Sequence, residues 1–284
     1  MRLVPHLVLF ALCSVLAGER SSVPSATLEL VHRIREADYA GDRPALRRLH
    51  SELAARPEER AHAGELRYWR GFALWRRAIN GFNETPTPED LDADLEAASA
   101  EFEAALREDP KFVDAQAGLA SCLGMRMFLH AREQEQIRAL VPRVRALLAE
   151  AEGLEPENPR LLWVRGPTEW WTPPGSPPDK VDERQARAIA TYTRGLEALR
   201  RTRRPAGRSL RPTWGEPELE MSLAWSFLNR RVPDLALAEA HARRALALVP
   251  SWHYVRDVLL PQIEGARATP RSSGIDPGLP PLPL

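Results

Sequence analysis

Lysine is nearly missing from this chain of 284 residues. Of its 39 basic residues only Lys111 and Lys180 are lysine and the rest are arginine, which we read as codon bias in a GC-rich genome. Net charge is missing too, since 39 acidic residues balance the 39 basic ones. Without a global basic field there is nothing to gather nucleic acid, so nucleic acid is not an expected partner. Alternating runs of β-branched residues are almost absent, which excludes a sheet and leaves an all-α chain. The usual catalytic signatures are missing as well: no His-Glu-x-x-His, no Gly-x-Ser-x-Gly, no phosphate-cradling glycine loop and no dinucleotide fingerprint. Histidines 32, 50, 62, 130, 241 and 253 are scattered, without a pair at metal-ligand spacing. The sequence therefore predicts no metal, no cofactor and no enzymatic activity.

The chain has two cysteines, and their positions matter more than their number. Cys13 lies in a segment that starts Met1-Arg2, continues apolar from Leu3 to Leu16 and ends Val15-Leu16-Ala17. A charged start, a short apolar stretch and a small-residue end describe a secretory signal, with cleavage after Ala17 and a periplasmic or secreted product. Two rival readings place the protein at a membrane: lipidation at Cys13, or an uncleaved signal anchor. Lipidation runs against Leu12, where a small residue is wanted. No later segment approaches ~18 uninterrupted apolar residues. Cleavage would leave Cys122 alone, unable to form an internal disulfide, among Ala120, Leu123 and Met125 as a buried thiol.

Residues 18–25 read as a short linker, and from 26 to 267 the chain reads as helices separated by proline-bearing breaks. The stretches run over 26–40, 43–56, 60–80, 91–108, 112–130, 132–153, 158–170, 180–202, 217–229, 234–248 and 251–267. Within them a pattern recurs. Ala98, Phe102, Ala105 and Pro110 are spaced four, three and five, as are Val144, Leu148, Ala151 and Pro156, and Ala238, Ala242, Ala245 and Pro250; Ala188, Tyr192 and Gly195 repeat the first three positions. Small residues let helices approach, the larger one fills the gap, and the proline ends the helix. Ala120 and Gly166 stand ten residues after Pro110 and Pro156.

This pattern resembles the tetratricopeptide repeat family in an irregular, exported bacterial form. The resemblance implies a right-handed superhelical array of antiparallel helical hairpins, about five and a closing helix, over 26–267. The first hairpin is the weakest member, with only Gly41 and Pro57 near their expected places. Three inserts break the period, at Gly81 to Asp90, Thr172 to Asp179 and Arg203 to Glu216, and each is expected to lie in a surface loop. Residues 268–284, ending Pro280-Pro281-Leu282-Pro283-Leu284, read as a disordered proline-rich tail. The function the resemblance implies is a scaffold that binds a protein or peptide on a concave surface. A small-ligand or lipid carrier with an apolar pocket inside the array is the alternative.

Candidate binding residues come from the aromatics of the first helices: Tyr68, Phe72 and Trp75, then Trp163, Trp170 and Trp171, then Trp225. Three-and-four spacing puts most of them on one face per helix, which is either the ligand groove or the interhelical core. Counting as the family does makes them groove and leaves Arg67, Arg70, Arg165, Glu169 and Glu220 at buried positions. A register shifted by one removes those charges from the interior and makes the aromatics core, which the cost of burying an unpaired charge favours. Asp90, Asp92, Asp94 and Glu101 have the offsets of a calcium loop, but Leu95 stands where that loop needs glycine, so they read as an acidic helix start. Arg200, Arg201, Arg203, Arg204, Arg208 and Arg211 read as a solvated basic insert, and Asn83-Glu84-Thr85 is a glycosylation sequon only in a eukaryotic source.

Overall fold

The computed structural model describes residues 23–56, 60–82, 84, 86–201 and 209–268. The signal segment, most of the linker, Pro57, Asn83, Arg203, Arg204, Arg208 and the proline-rich tail beyond Ala268 lie outside these described residues. Among the described residues the chain is all helix: α1 (Ser25–Tyr39), α2 (Arg43–Ala54), α3 (Ala63–Gly81), α4 (Pro88–Glu108), α5 (Val113–Leu129), α6 (Gln134–Leu154), α7 (Pro159–Trp170), α8 (Pro178–Arg201), α9 (Glu216–Asn229), α10 (Leu235–Leu248) and α11 (Leu260–Ala268). None is long and apolar enough to cross a membrane.

Side-chain caps set four of the helix starts. Asp42 accepts from the Ala45 N–H, Thr87 from Asp90, Asn158 from Arg160 and Leu161, and Asp234 from Leu237, each cap contributing about 1 kcal/mol. Glu89 and Asp90 occupy the first turn of α4, where the helix dipole favours them.

The helix ends repeat one geometry. Asp109, Glu155 and Val249 all follow a helix with φ between −140° and −137° and ψ between 77° and 91°, and each N–H returns to the carbonyl of the last small residue, Ala105, Ala151 or Ala245. The cause is the proline that follows each of them, which forbids the helical region to the residue before it. Each break then folds into the same turn, with the N–H of Phe112, Asn158 and Trp252 bonded to the carbonyl of Asp109, Glu155 and Val249.

Packing follows the spacing read from the sequence. Ala98, Phe102, Ala105, Ala151, Ala188, Tyr192, Ala238, Ala242 and Ala245 are all buried. The two aromatic members sit against glycines, Phe102 against Gly71 and Gly118 and Tyr192 against Gly166, while Leu148 is half-buried. The hairpins α1–α2, α3–α4, α5–α6, α7–α8 and α9–α10 stack side by side, with α1, α3, α5, α7 and α9 as successive neighbours and α11 against α10. This is an all-α helical repeat array.

Its two ends meet. The Tyr39 hydroxyl at the end of α1 donates to Glu218 Oε1 in α9 at 2.7 Å, the Tyr39 and Trp252 rings stand edge to face at 5.0 Å, and the His253 ring lies against Gly41. The weakest-reading hairpin thus closes the array onto its last segment. The insert from Arg203 to Glu216 also departs from expectation. Its described part, 209–215, runs inward and not over the surface, and buries Leu210 and Trp214.

Candidate functional site

The inner side of the array is lined by the first helices of the hairpins and filled with aromatic rings. Tyr68, Phe72 and Trp75 from α3 and Trp163 from α7 are each at most 1% exposed. Trp75 and Trp163 meet across α5 with ring centroids 5.7 Å apart. Trp214 completes the group, 5.5 Å from Phe72, 6.0 Å from Trp75 and 5.4 Å from Trp163. Trp170 and Trp225 form a separate pair at 5.2 Å, and Trp171, 53% exposed, joins neither. Of the seven candidate aromatics, four converge on the inner face and all but Trp171 are buried.

Buried indole N–H groups need acceptors, and each inner one has found its own. Trp75 Nε1 donates to Ser121 Oγ at 3.2 Å and Trp163 Nε1 to Ser222 Oγ at 3.0 Å. Trp69 Nε1 donates to the Leu210 carbonyl and Trp214 Nε1 to the Tyr68 hydroxyl, both at 2.7 Å. Ser121, Ser222, Trp69, Leu210 and Trp214 were not among the sequence candidates. The one local signal for the serines is a single small polar residue within an apolar helical run.

A charged cluster borders the rings. Arg76, 1% exposed, donates from Nε to Asp38 Oδ2 at 2.7 Å, and its guanidinium lies over the Trp163 ring at 5.4 Å. Burial works to lower the Arg76 pKa, but Asp38 and Glu218 outweigh it and hold the group protonated. Asn80 donates to the Asp38 carbonyl and carboxylate. Glu218, fully buried, uses both oxygens: Oε1 accepts from Tyr39 and Oε2 from the Gly215 N–H at 3.0 Å. Burial first, and Glu218 second, raise the Tyr39 pKa well above the phenol range, so it stays a donor.

The charges expected to be excluded from the interior divide. Arg67, Arg165 and Glu169 are half-buried, whereas Arg70 and Glu220 are inside. Both interior charges are paired: Arg70 donates to the Leu53 carbonyl, and Glu220 accepts from Arg244 and stands 2.6 Å from His241 Nδ1. The desolvation argument holds against unpaired charge only.

The acidic run of α4 points in several directions. Asp92 meets Arg126 and His130, Asp94 meets Arg77, and Glu101 meets Arg67. Among the described residues no group of three or more His, Cys, Asp and Glu side chains could hold a metal ion. Cys122 is fully buried, and burial pushes its thiol pKa up, away from the thiolate. Within the described part of the basic cluster, Arg201 pairs with Glu157, and Arg211 with Asp109 and Glu65.

The described part of the third insert runs along this face outside any helix, with a bend at Arg211. From Ser209 to Trp214 burial alternates strictly, with Leu210, Pro212 and Trp214 inward and Ser209, Arg211 and Thr213 outward. The proline ring of Pro212 keeps Arg211 before it out of the helical region, and the Arg211 N–H turns back to Ser209 Oγ at 3.1 Å. Outside, the Arg211 guanidinium lies 4.5 Å over the Phe112 ring. The segment ends at Gly215, whose φ of 131° turns the chain into α9 in a region that disfavours other residues.

No family model matches this chain, and neither does any curated protein or solved structure.

Proposed function

We propose that this protein is an exported tetratricopeptide-like scaffold, non-enzymatic, that binds an extended segment of a protein partner on the inner face of its first helices. One observation carries the reading: the face formed by Tyr68, Trp69, Phe72, Trp75 and Trp163 holds a non-helical stretch of chain by an aromatic anchor and side-chain hydrogen bonds. That is the chemistry by which a groove of helices recognises a peptide, with buried aromatic anchors for affinity and polar contacts for orientation. The carrier alternative needs the same interior for an apolar ligand, and there the Trp214 indole takes up the space.

The test is site-directed photocrosslinking of the mature chain in envelope extract. A crosslinking residue at Glu65, beside the inner face, should trap a discrete protein, and one at Arg107, on a second helix, should not. Trapping from Arg107 alone, or lipid co-purifying with no protein trapped, would overturn the reading.

A further inference from the structure

The inner face is already occupied by the chain itself, and we infer that 209–214 is an internal stand-in for the ligand: the partner presents an extended segment of the form Leu-x-Pro-x-Trp and takes its place. The inference rests on the peptide-binding reading above and specifies its ligand and its regulation.

Three features of the segment set it apart from ordinary core. Its side chains alternate in and out along a backbone that belongs to no helix, whereas the elements around it are helical. Among the described residues no backbone-to-backbone hydrogen bond ties Ser209–Trp214 to the helices. What holds it is side-chain chemistry: the Trp69 indole on the Leu210 carbonyl, the Tyr68 hydroxyl on the Trp214 indole, and the Arg160 guanidinium reaching the Trp214 carbonyl at 3.4 Å. Such a stretch can leave and be replaced by another of the same chemistry without any helix losing its own ladder. The receiving surface is also specific: an apolar site for an aliphatic side chain, an indole site between Phe72, Trp75 and Trp163 with Tyr68 as acceptor, and three residues between them. On the outer side Asp109 and Glu65 face Arg211, so a basic residue after the leucine suits the rim.

A tethered segment competes at an effective concentration on the order of millimolar, so the parent chain should resist a free ligand that an emptied chain accepts. The probe is a fluorescein-labelled peptide with the sequence of residues 209–217, followed by anisotropy. It should bind the Leu210→Ala/Trp214→Ala chain at micromolar concentration and the parent at least about tenfold more weakly. The same peptide with alanine for its tryptophan should bind neither. Should the double variant not fold, Arg211→Ala loosens the internal segment without touching the aromatic face, and should raise the peptide's affinity above that of the parent severalfold. Binding to no chain would make 209–214 a fixed part of the core, and equal binding to parent and variants would place the peptide elsewhere; either result overturns the inference. A protein trapped at Glu65 with no peptide binding would leave the scaffold standing and remove the internal ligand. Peptide binding with nothing trapped would do the reverse.

Discussion

Trp214→Ala tests most directly whether the third insert belongs to the interior. The Trp214 side chain is 1% exposed and its ring meets those of Phe72, Trp75 and Trp163. Truncating a buried tryptophan of this kind costs about 3–5 kcal/mol, as lost transfer energy and the cavity left behind. A second cost follows, because the Tyr68 hydroxyl loses the indole N–H it accepts and is itself fully buried, which adds roughly 1 kcal/mol. A total of about 4–6 kcal/mol is a large share of the roughly 5–15 kcal/mol that holds a domain together. A tryptophan in a surface loop would cost within about 0.5 kcal/mol. Trp171, the same residue type at 53% exposure, is the internal control. In urea unfolding followed by circular dichroism, Trp214→Ala should lower the midpoint by more than about 1 M at a slope near 3 kcal/mol/M, and Trp171→Ala should barely move it. If the two variants unfold together, the segment contributes nothing and the reasoning fails.

Arg76→Met should cost about 3–5 kcal/mol by leaving Asp38 buried beside Glu218 with no guanidinium; adding Asp38→Leu should recover part of that in a double-mutant cycle, and simple additivity would dissolve the pair. Gly166→Ala puts a Cβ 2.1 Å from the Tyr192 ring and should destabilise by about 1–3 kcal/mol, whereas Gly153→Ala, in open helix, should stabilise by about 0.4–1 kcal/mol; calorimetry separates them. Two histidines carry opposite pH signs. Burial lowers the His50 pKa, so its contribution is present above about 6.5 and lost as pH falls. The Glu133 hydrogen bond raises that of His130, so its contribution is present below about 6.5 and lost as pH rises. Melting temperatures at pH 5 and pH 7.5 should therefore place His50→Gln closer to the parent at pH 5 and His130→Gln further from it. N-terminal sequencing of exported material should begin at Gly18; a lipidated start at Cys13, or uncleaved chain, would overturn cleavage after Ala17.

The hairpins were legible because their signal is local. Ala98, Phe102, Ala105 and Pro110 lie within one helix and its end, and the proline acts on the residue beside it whatever the rest of the chain does. The inward insert was not legible, since Leu210, Pro212 and Trp214 give only three residues of period-two pattern, set among arginines that read as solvent. Nor was closure, because Tyr39 and Glu218 are 179 residues apart and carry no spacing rule. The buried charges failed for a different reason. Arg76, Asp38, Glu218 and Glu220 look like surface residues one at a time, and only their three-dimensional partners make burial tolerable. The aromatic face was legible as a face, and the cost of unpaired charge favoured core for it; what carried no signal was Trp214, whose ring packs on Phe72, Trp75 and Trp163.

Closure changes what kind of repeat array this is. In an open solenoid each repeat touches only its neighbours, so stability is a sum of local terms and the ends fray independently. Here Tyr39 reaches across to Glu218, Trp69 to Leu210 and Tyr68 to Trp214, separations of 179, 141 and 146 residues. Opening either end therefore strands buried polar groups at the other, and the hairpins are coupled beyond nearest neighbours. Glu218 is the joint. One of its oxygens holds α1 through Tyr39, and the other holds the Gly215 N–H at the point where the inner segment turns into α9. Drawing Trp214 out of the aromatic face pulls on Gly215, one residue along the chain, and so on the second of those bonds. Under the proposed replacement of the inner segment, a ligand would act on the same carboxylate that closes the array, because Glu218 holds both Tyr39 and Gly215.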